Sequence, residues 1–109
     1  MAETYKNARQ AVGTTYTTVY TCPAATTAIV LSAIAANVDG VNSAGVSAQW
    51  LDSSNSNTAT RVIDGVIVPA VAAVNLMSGP VVLEAGDAFQ AKATEADDIE
   101  LTLVVDEIT

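Results

Sequence analysis

The sequence contains no histidine and only one cysteine, which removes the commonest side chains of catalytic and metal sites. Histidine is the usual general base near neutral pH, so the ordinary acid–base and nucleophilic arrangements lack their central residue. A lone Cys22 can form neither an intrachain disulfide nor a zinc site of the usual Cys and His type. We therefore expect no catalytic residues, no metal and no cofactor, and an enzyme is the least favoured class.

Basic residues are also scarce. The chain has 4 Lys and Arg against 12 Asp and Glu, a formal net charge of −8. Phosphate backbones and anionic lipid surfaces are bound by clusters of Lys and Arg. We therefore expect no nucleic-acid partner and no membrane partner.

Large side chains are few, because aromatic residues make up only 5% of a chain that is 50% hydrophobic. The apolar residues are mainly Ala and Val, and small side chains each bury little area. The 109 residues fit one small domain with a thin core. Contacts with other copies or partners would add the stability that such a core lacks.

Long apolar runs are missing as well. The longest run, AIVLSAIAA at 28–36, has about half the length that a membrane-spanning helix needs. The first residues carry an early Glu3 and no apolar signal region, so we expect a soluble protein made in a cytoplasm. Residues 1–10 are polar and unlike the rest. We interpret 1–10 as an N-terminal arm and 11–109 as the folded domain.

The remaining chain is rich in short β-strand patterns, with β-branched residues and period-two alternation between turn signals. About eight strands are predicted at spacings of roughly 8–12 residues. Segment 26–38 has apolar residues at both odd and even positions, which fits a strand buried on both faces or a buried helix. Its β-branched residues and flanking turns favour the strand. Segment 70–77 fits a strand or a single helical turn. The expected fold is all-β, a single antiparallel β-sandwich; jelly-roll and immunoglobulin-like topologies both fit.

Two glycines stand at predicted turns. Asp39-Gly40 is a turn dipeptide. In VVLEAGDAFQAKA (81–93), Gly86 separates two strand patterns, which predicts a hairpin whose turn needs a positive φ. Glu84 and Asp87 then become the polar ends of that turn.

Few side chains are candidates for a binding site. Trp50 follows the phase of Val46 and Ala48, so we interpret it as a core anchor, with a sugar-stacking platform as the alternative. Tyr16 and Tyr20 share one strand face, which fits either an interface or ordinary packing. The acidic segment 95–100 is interpreted as a solvated turn in preference to a Ca²⁺ site, since it lacks EF-hand spacing.

The order of several segments resembles small all-β structural proteins of tailed-bacteriophage virions. The series is YTCPAATTAIVLSAIAANVDG, VSAQW, VPA, LEAGD and ELTLVVDEI, spanning residues 19–108. The resemblance implies a non-enzymatic component of the virion. It implies either a capsid decoration (cement) protein that binds the major capsid protein lattice, as a trimer, or a neck, collar or tail component.

An arm suggests how such a component would assemble. An extended segment can pair with a neighbour's sheet edge, and many weak contacts on a lattice add up. We expect a homo-oligomer whose interface uses Tyr5, Lys6, Arg9, Tyr16 and Tyr20. A carbohydrate-binding or adhesive β-sandwich is the more distant alternative.

Overall fold

The computed structural model describes residues 2–109, which form two antiparallel sheets packed face to face. The sandwich fold class predicted from strand periodicity is confirmed, with nine strands in the described chain. The strands are β1 (Glu3–Val12), β2 (Thr17–Thr21), β3 (Thr27–Asn37), β4 (Ala44–Asp52), β5 (Thr58–Val68), β6 (Ala73–Asn75), β7 (Val81–Leu83), β8 (Ala88–Ala93) and β9 (Ile99–Ile108). A 3₁₀ turn, Ser53–Asn55, follows β4.

The strand order selects the jelly roll from the two topologies that the sequence leaves open. One sheet, here sheet A, runs β1-β9-β3-β6 with β7 also paired to β3; the other, sheet B, runs β2-β8-β4-β5. The pairs are therefore nested, with the first strand beside the last and the second beside the next to last. This rolled-up ribbon is the jelly-roll arrangement, in which β6 and β7 together occupy one strand position.

The core between the sheets is built mainly from small side chains, as the composition predicts. Phe89 is fully buried, and Trp50 is half-buried against the core on the same face of sheet B. Trp50 thus packs beside the core and is not its centre. The largest fully buried apolar side chains are Phe89, Leu83, Ile99, Leu101, Leu103, Val12, Val30, Val46, Val68 and Val105.

The segment interpreted as an N-terminal arm forms an edge strand of sheet A. Residues 3–12 form β1, which pairs with β9 over ten consecutive residues without a register shift. The polar composition suggested an arm, yet it is equally suited to an edge strand whose side chains are mostly exposed. Residue 1 of the predicted arm lies outside the described residues.

β3 is buried on one face only, so the expectation of burial on both faces is wrong. Ala28, Val30, Ala33 and Ala35 are buried, whereas Leu31 is 43% exposed and Ile34 is 37% exposed. The core-facing side is covered by sheet B, and the other side is the outer surface of sheet A. The apolar residues on this outer side therefore remain in contact with solvent.

The hairpin predicted for 81–93 is also wrong. β7 pairs with β3 in sheet A, while β8 pairs with β2 and β4 in sheet B. The turn at Gly86 therefore carries the chain from one sheet to the other. The ambiguous segment 70–77 contains the short strand β6 and no helix.

Candidate interaction surfaces

Two of the predicted interface residues are bonded inside the molecule. Glu107 of β9 is 7% exposed, and its carboxylate accepts a short hydrogen bond from the hydroxyl of Tyr20 on β2. The ammonium of Lys6 on β1 lies 2.9 Å from the same carboxylate. Lys6, Tyr20 and Glu107 form what we call the clasp, because they connect the two sheets near the start of β1.

Contacts within the clasp shift the pKa values of Glu107 and Tyr20. The hydrogen bond from Tyr20, and then that from Lys6, hold the pKa of Glu107 below its ordinary value. Burial, followed by the hydrogen bond to Glu107, raises the pKa of Tyr20 well above its ordinary value. At neutral pH the clasp therefore holds a carboxylate, an ammonium and a neutral phenol, which is a stable set of partners.

Tyr16 lies over sheet B rather than in a free interface. Its ring centroid is 5.1 Å from the guanidinium carbon of Arg61 and 4.9 Å from the Lys92 nitrogen, so both cations contact the aromatic face. Arg61 in turn donates to Gln49 at 2.7 Å. Hydrogen bonds continue from Gln49 to Gln90 on β8 and Thr18 on β2 and cross all four strands of sheet B. This outer surface is organised by internal contacts.

Tyr5 and Arg9 do face solvent. Both lie on the outer side of sheet A, and Tyr5 is 68% exposed. The Tyr5 hydroxyl donates to Glu3 at 3.0 Å. The neighbouring Asp106 is buried, with one carboxylate oxygen that has no hydrogen-bond partner among the described residues. Arg9 makes no salt bridge within residues 2–109.

Apolar side chains occupy the middle of the same outer side. Leu31 and Ile34 on β3, Val104 on β9 and Val82 on β7 are all at least partly exposed. In antiparallel pairs, directly opposed residues point to one face, which places Val82 beside Ile29 on this side. Sheet A therefore presents a mixed surface, apolar at the centre with Glu3, Tyr5 and Arg9 along the β1 border.

The loop around Gly86 is a structural site that the sequence indicated only in part. Gly86 has φ +88°, and a Cβ there would lie 2.8 Å from the hydroxyl oxygen of Ser53. Asp87 is buried and accepts hydrogen bonds from the amides of Ser53 and Glu84, both at 2.9 Å. Asp87 thus joins the loop to the 3₁₀ turn, a role that its position in sequence did not reveal.

The other predicted turn depends on an aspartate more than on its glycine. Gly40 has no positive φ, and a Cβ there would contact nothing. Asp39 instead accepts from the amides of Val41 at 2.8 Å and Asn42 at 3.3 Å, and these bonds lower its pKa. The chain therefore bends at the predicted position, but the backbone at Gly40 does not require a glycine.

The remaining chemistry-bearing groups do not converge. Across residues 2–109, no three Cys, Asp or Glu side chains gather in a way that could hold a metal ion. Cys22 is buried, its thiol lies near three carbonyl oxygens, and burial raises its pKa. Within the described chain, no helix has the length and apolar character needed to cross a bilayer.

Comparisons with known proteins show similarity at the level of the fold. No protein-family model and no curated protein sequence matches the chain. The structure is similar to a protein of Bacillus endospore appendages, described as disulfide-linked pili. The TM-score is 0.58 at 11% sequence identity, and the match covers 99% of this chain and 87% of the other. The shared property is the all-β fold.

A second solved structure is more distant. It is from the Gt strain of infectious bursal disease virus, with a TM-score of 0.40 and 6% sequence identity. The match covers 99% of this chain and 31% of the viral chain.

Proposed function

We propose that this protein is a non-enzymatic structural subunit of a tailed-bacteriophage virion, most favourably a capsid decoration protein that binds the major capsid protein lattice. The observation that carries the proposal is the combination of a jelly-roll sandwich with exposed apolar side chains at the centre of the outer side of sheet A, namely Leu31, Ile34, Val82 and Val104. Contiguous exposed apolar surface is typical of protein–protein contact sites. The reason for proposing a phage virion is the series of sequence segments that resembles small virion proteins.

The internal bonding of the candidate residues supports a structural role. Tyr16, Tyr20 and Lys6 stabilise the subunit, while Tyr5 and Arg9 are available for contacts between subunits. Groups that would prepare a nucleophile or a general base do not meet anywhere in residues 2–109. The arrangement therefore favours binding over catalysis.

The pilus-like fold of the endospore appendage protein is compatible with assembly into a polymer, but this chain would need another linkage. The appendages are described as disulfide-linked. Here the one cysteine, Cys22, is 1% exposed inside the sandwich. Assembly of this protein is therefore expected to rest on non-covalent contacts of the sheet A surface and its edges.

The neck, collar or tail position is the alternative within the same particle, and copy number separates the two. Quantitative mass spectrometry of purified particles from the phage that encodes the chain measures the ratio to the major capsid protein. Hundreds of copies per particle support decoration, and about a dozen or fewer support the neck or tail. Absence of the protein from purified particles contradicts both.

A carbohydrate-binding module gains no support from the site geometry. Trp50, the candidate stacking platform, is half-buried against the core. The polar loop that follows β4 uses Asp52 to hold the hydroxyl and amide of Ser54. Both features are occupied by internal contacts.

A further inference from the structure

The free edge of sheet A presents an ordered row of main-chain groups that no neighbouring strand uses. Ala2 and Thr109 exchange both of their hydrogen bonds, at 3.0 and 2.9 Å. Bonded and non-bonded pairs alternate in an antiparallel ladder. Every second residue of β1 therefore directs its N–H and C=O away from β9. These residues are Glu3, Tyr5, Asn7, Arg9 and Ala11. The Ala11 carbonyl also accepts a hydrogen bond of 3.2 Å from the side-chain amide of Gln10.

The other sheet edges are protected in ways that β1 is not. β6 and β7 have three residues each, β2 has five residues and a register shift, and β5 has two register shifts and a positive-φ Gly65. Short strands and bulges are common devices against unwanted edge pairing. β1 has ten residues, no register shift and no proline. It is the edge best suited to accept another strand.

We propose that β1 pairs with β1 of a second copy of this chain, antiparallel about a twofold axis at Lys6, so that Glu3 of each copy faces Arg9 of the other. The proposal deepens the structural role proposed above and rests on it. Pairing of residues whose numbers sum to twelve brings outward-facing Glu3 opposite Arg9 and Tyr5 opposite Asn7. The two A sheets then form one continuous sheet, joined by a twofold contact in place of the trimer that the resemblance implies.

Charge complementarity favours β1 of a second copy as the partner and the register that pairs Glu3 with Arg9. Glu3 and Asp106 place two carboxyl groups at one end of the β1 border, and Arg9, without a salt bridge within residues 2–109, lies at the other end. Burial, reinforced by the hydrogen bond and charge of Glu3, raises the pKa of Asp106. An arriving guanidinium would relieve this crowding of carboxyl groups. Because copies carrying −8 repel one another in general, a local opposite-charge pair decides how they meet.

The axis itself is compatible with the pairing. Lys6 of each copy lies opposite its counterpart, but each ammonium is already held by Glu107 of its own chain at 2.9 Å. Each Lys6 side chain is 52% exposed and lies on the side of sheet A that faces sheet B of its own sandwich. Like-charge repulsion across the axis is therefore reduced by a carboxylate on each side.

A charge exchange tests the register. Sedimentation velocity across the micromolar to millimolar range measures the self-association of the wild type, Glu3→Arg, Arg9→Glu and the double variant Glu3→Arg/Arg9→Glu. Each single variant should weaken association about tenfold or more, because two like-charge pairs replace two opposite-charge pairs. The double variant should return it to within about threefold of the wild type. A double variant as weak as the singles overturns the proposed register.

A proline pair tests the use of the edge. Asn7→Pro removes an N–H that β9 does not use, so the fold should survive with a thermal midpoint within about 4 °C of wild type while self-association is lost. Ala8→Pro removes an N–H that bonds to β9 and should lower the midpoint markedly. Self-association of Asn7→Pro equal to wild type overturns the proposal, as does a wild-type protein that remains monomeric or sediments as a trimer.

The same variants distinguish failure of this inference from failure of the proposed function. If wild type and Asn7→Pro enter particles equally and self-associate equally, the structural role stands and the β1 contact is wrong. If the wild type dimerises through β1 but is absent from particles, the contact stands and the virion role is wrong.

Discussion

The hydroxyl of Tyr20 in sheet B donates to the carboxylate of Glu107 in sheet A, 87 positions away in the chain. Jelly-roll nesting brings the second strand and the last strand to the same end of the sandwich. Lys6 completes the contact from the neighbouring edge strand. One buried carboxylate thus connects β1, β2 and β9, and the edge strand is held in place partly through it.

Removal of the Tyr20 hydroxyl should weaken the subunit. Tyr20→Phe keeps the ring and deletes the donor, leaving the buried Glu107 carboxylate with Lys6 alone. We expect a loss of about 1–2 kcal/mol in the free energy of unfolding, measured by urea titration, as is usual for a hydrogen bond to a charged group. Tyr5→Phe is the matched control, since the Tyr5 hydroxyl is on an exposed side chain. An equal loss for both variants contradicts a specific role of the clasp.

The clasp should also make stability depend on pH in acid. The pKa of Glu107 is lowered in the folded state by Tyr20 and Lys6, so its contribution is present above the ordinary value of 4.5 and is lost as pH falls through the folded-state pKa. Glu107→Gln removes this titration. Unfolding measured from near-neutral pH to about pH 3 should show the stability difference between wild type and variant shrinking with acidification.

Two other groups qualify that profile. Cys22 and Tyr20 also face Glu107, and the pKa of Tyr20 is raised in the folded state. Tyr20 therefore contributes stability that is present below its ordinary pKa of 10.0 and is lost only as pH rises through its folded-state pKa. Neither titrates in acid. The pKa of Asp106 is raised, so Asp106 affects the pH dependence of stability in the opposite direction to Glu107. Asp106 is present in both wild type and Glu107→Gln, so its effect cancels in the stability difference between them. A stability difference that stays constant down to the lowest pH would contradict the assigned role of Glu107.

Gly86 should tolerate no side chain. Its φ of +88° and the 2.8 Å approach of Ser53 to a built Cβ act together. Gly86→Ala should cost about 1–3 kcal/mol in the free energy of unfolding. Gly40→Ala is the matched control and should change stability by less than about 0.5 kcal/mol, because Gly40 has neither a positive φ nor a contact. Thermal unfolding of the two variants checks both values, and equal midpoints would refute the assignment.

Strand positions were readable from the sequence, whereas strand partners were not. The alternation in 81–93 correctly placed β7 and β8, but alternation says nothing about which strand lies alongside. A tight turn at Gly86 fits a hairpin and a crossing between sheets equally well. The same limit hides the pairing of Tyr20 with Glu107, since a separation of 87 residues leaves no local pattern.

Exposure was the second quantity that the sequence did not determine. β3 is apolar on both phases, which is typical of burial on both faces, yet Leu31 and Ile34 meet solvent. Apolar residues on an outer face can serve contacts that a single chain does not show. Conversely, the polar 3–10 segment is part of an ordered strand because main-chain pairing with β9 does not require apolar side chains.

Cys22 should take no part in assembly. Its thiol is buried near three carbonyl oxygens, and burial raises its pKa, which disfavours the reactive thiolate. Ellman's reagent should react negligibly with the native protein and fully with the denatured protein. Particle association should be the same with and without reductant. Rapid labelling of the native thiol, or covalent dimers on a non-reducing gel, would contradict a purely non-covalent assembly.

Re-addition of the purified protein to particles that lack it tests the decoration role most directly. Particles of the phage proposed to encode the chain are produced without it and then titrated with wild-type protein. Bound copies are counted by quantitative mass spectrometry, and the temperature of shell rupture is measured. The account predicts saturable binding of hundreds of copies and a higher rupture temperature. No binding to the shell, or binding that leaves the rupture temperature unchanged, would contradict it.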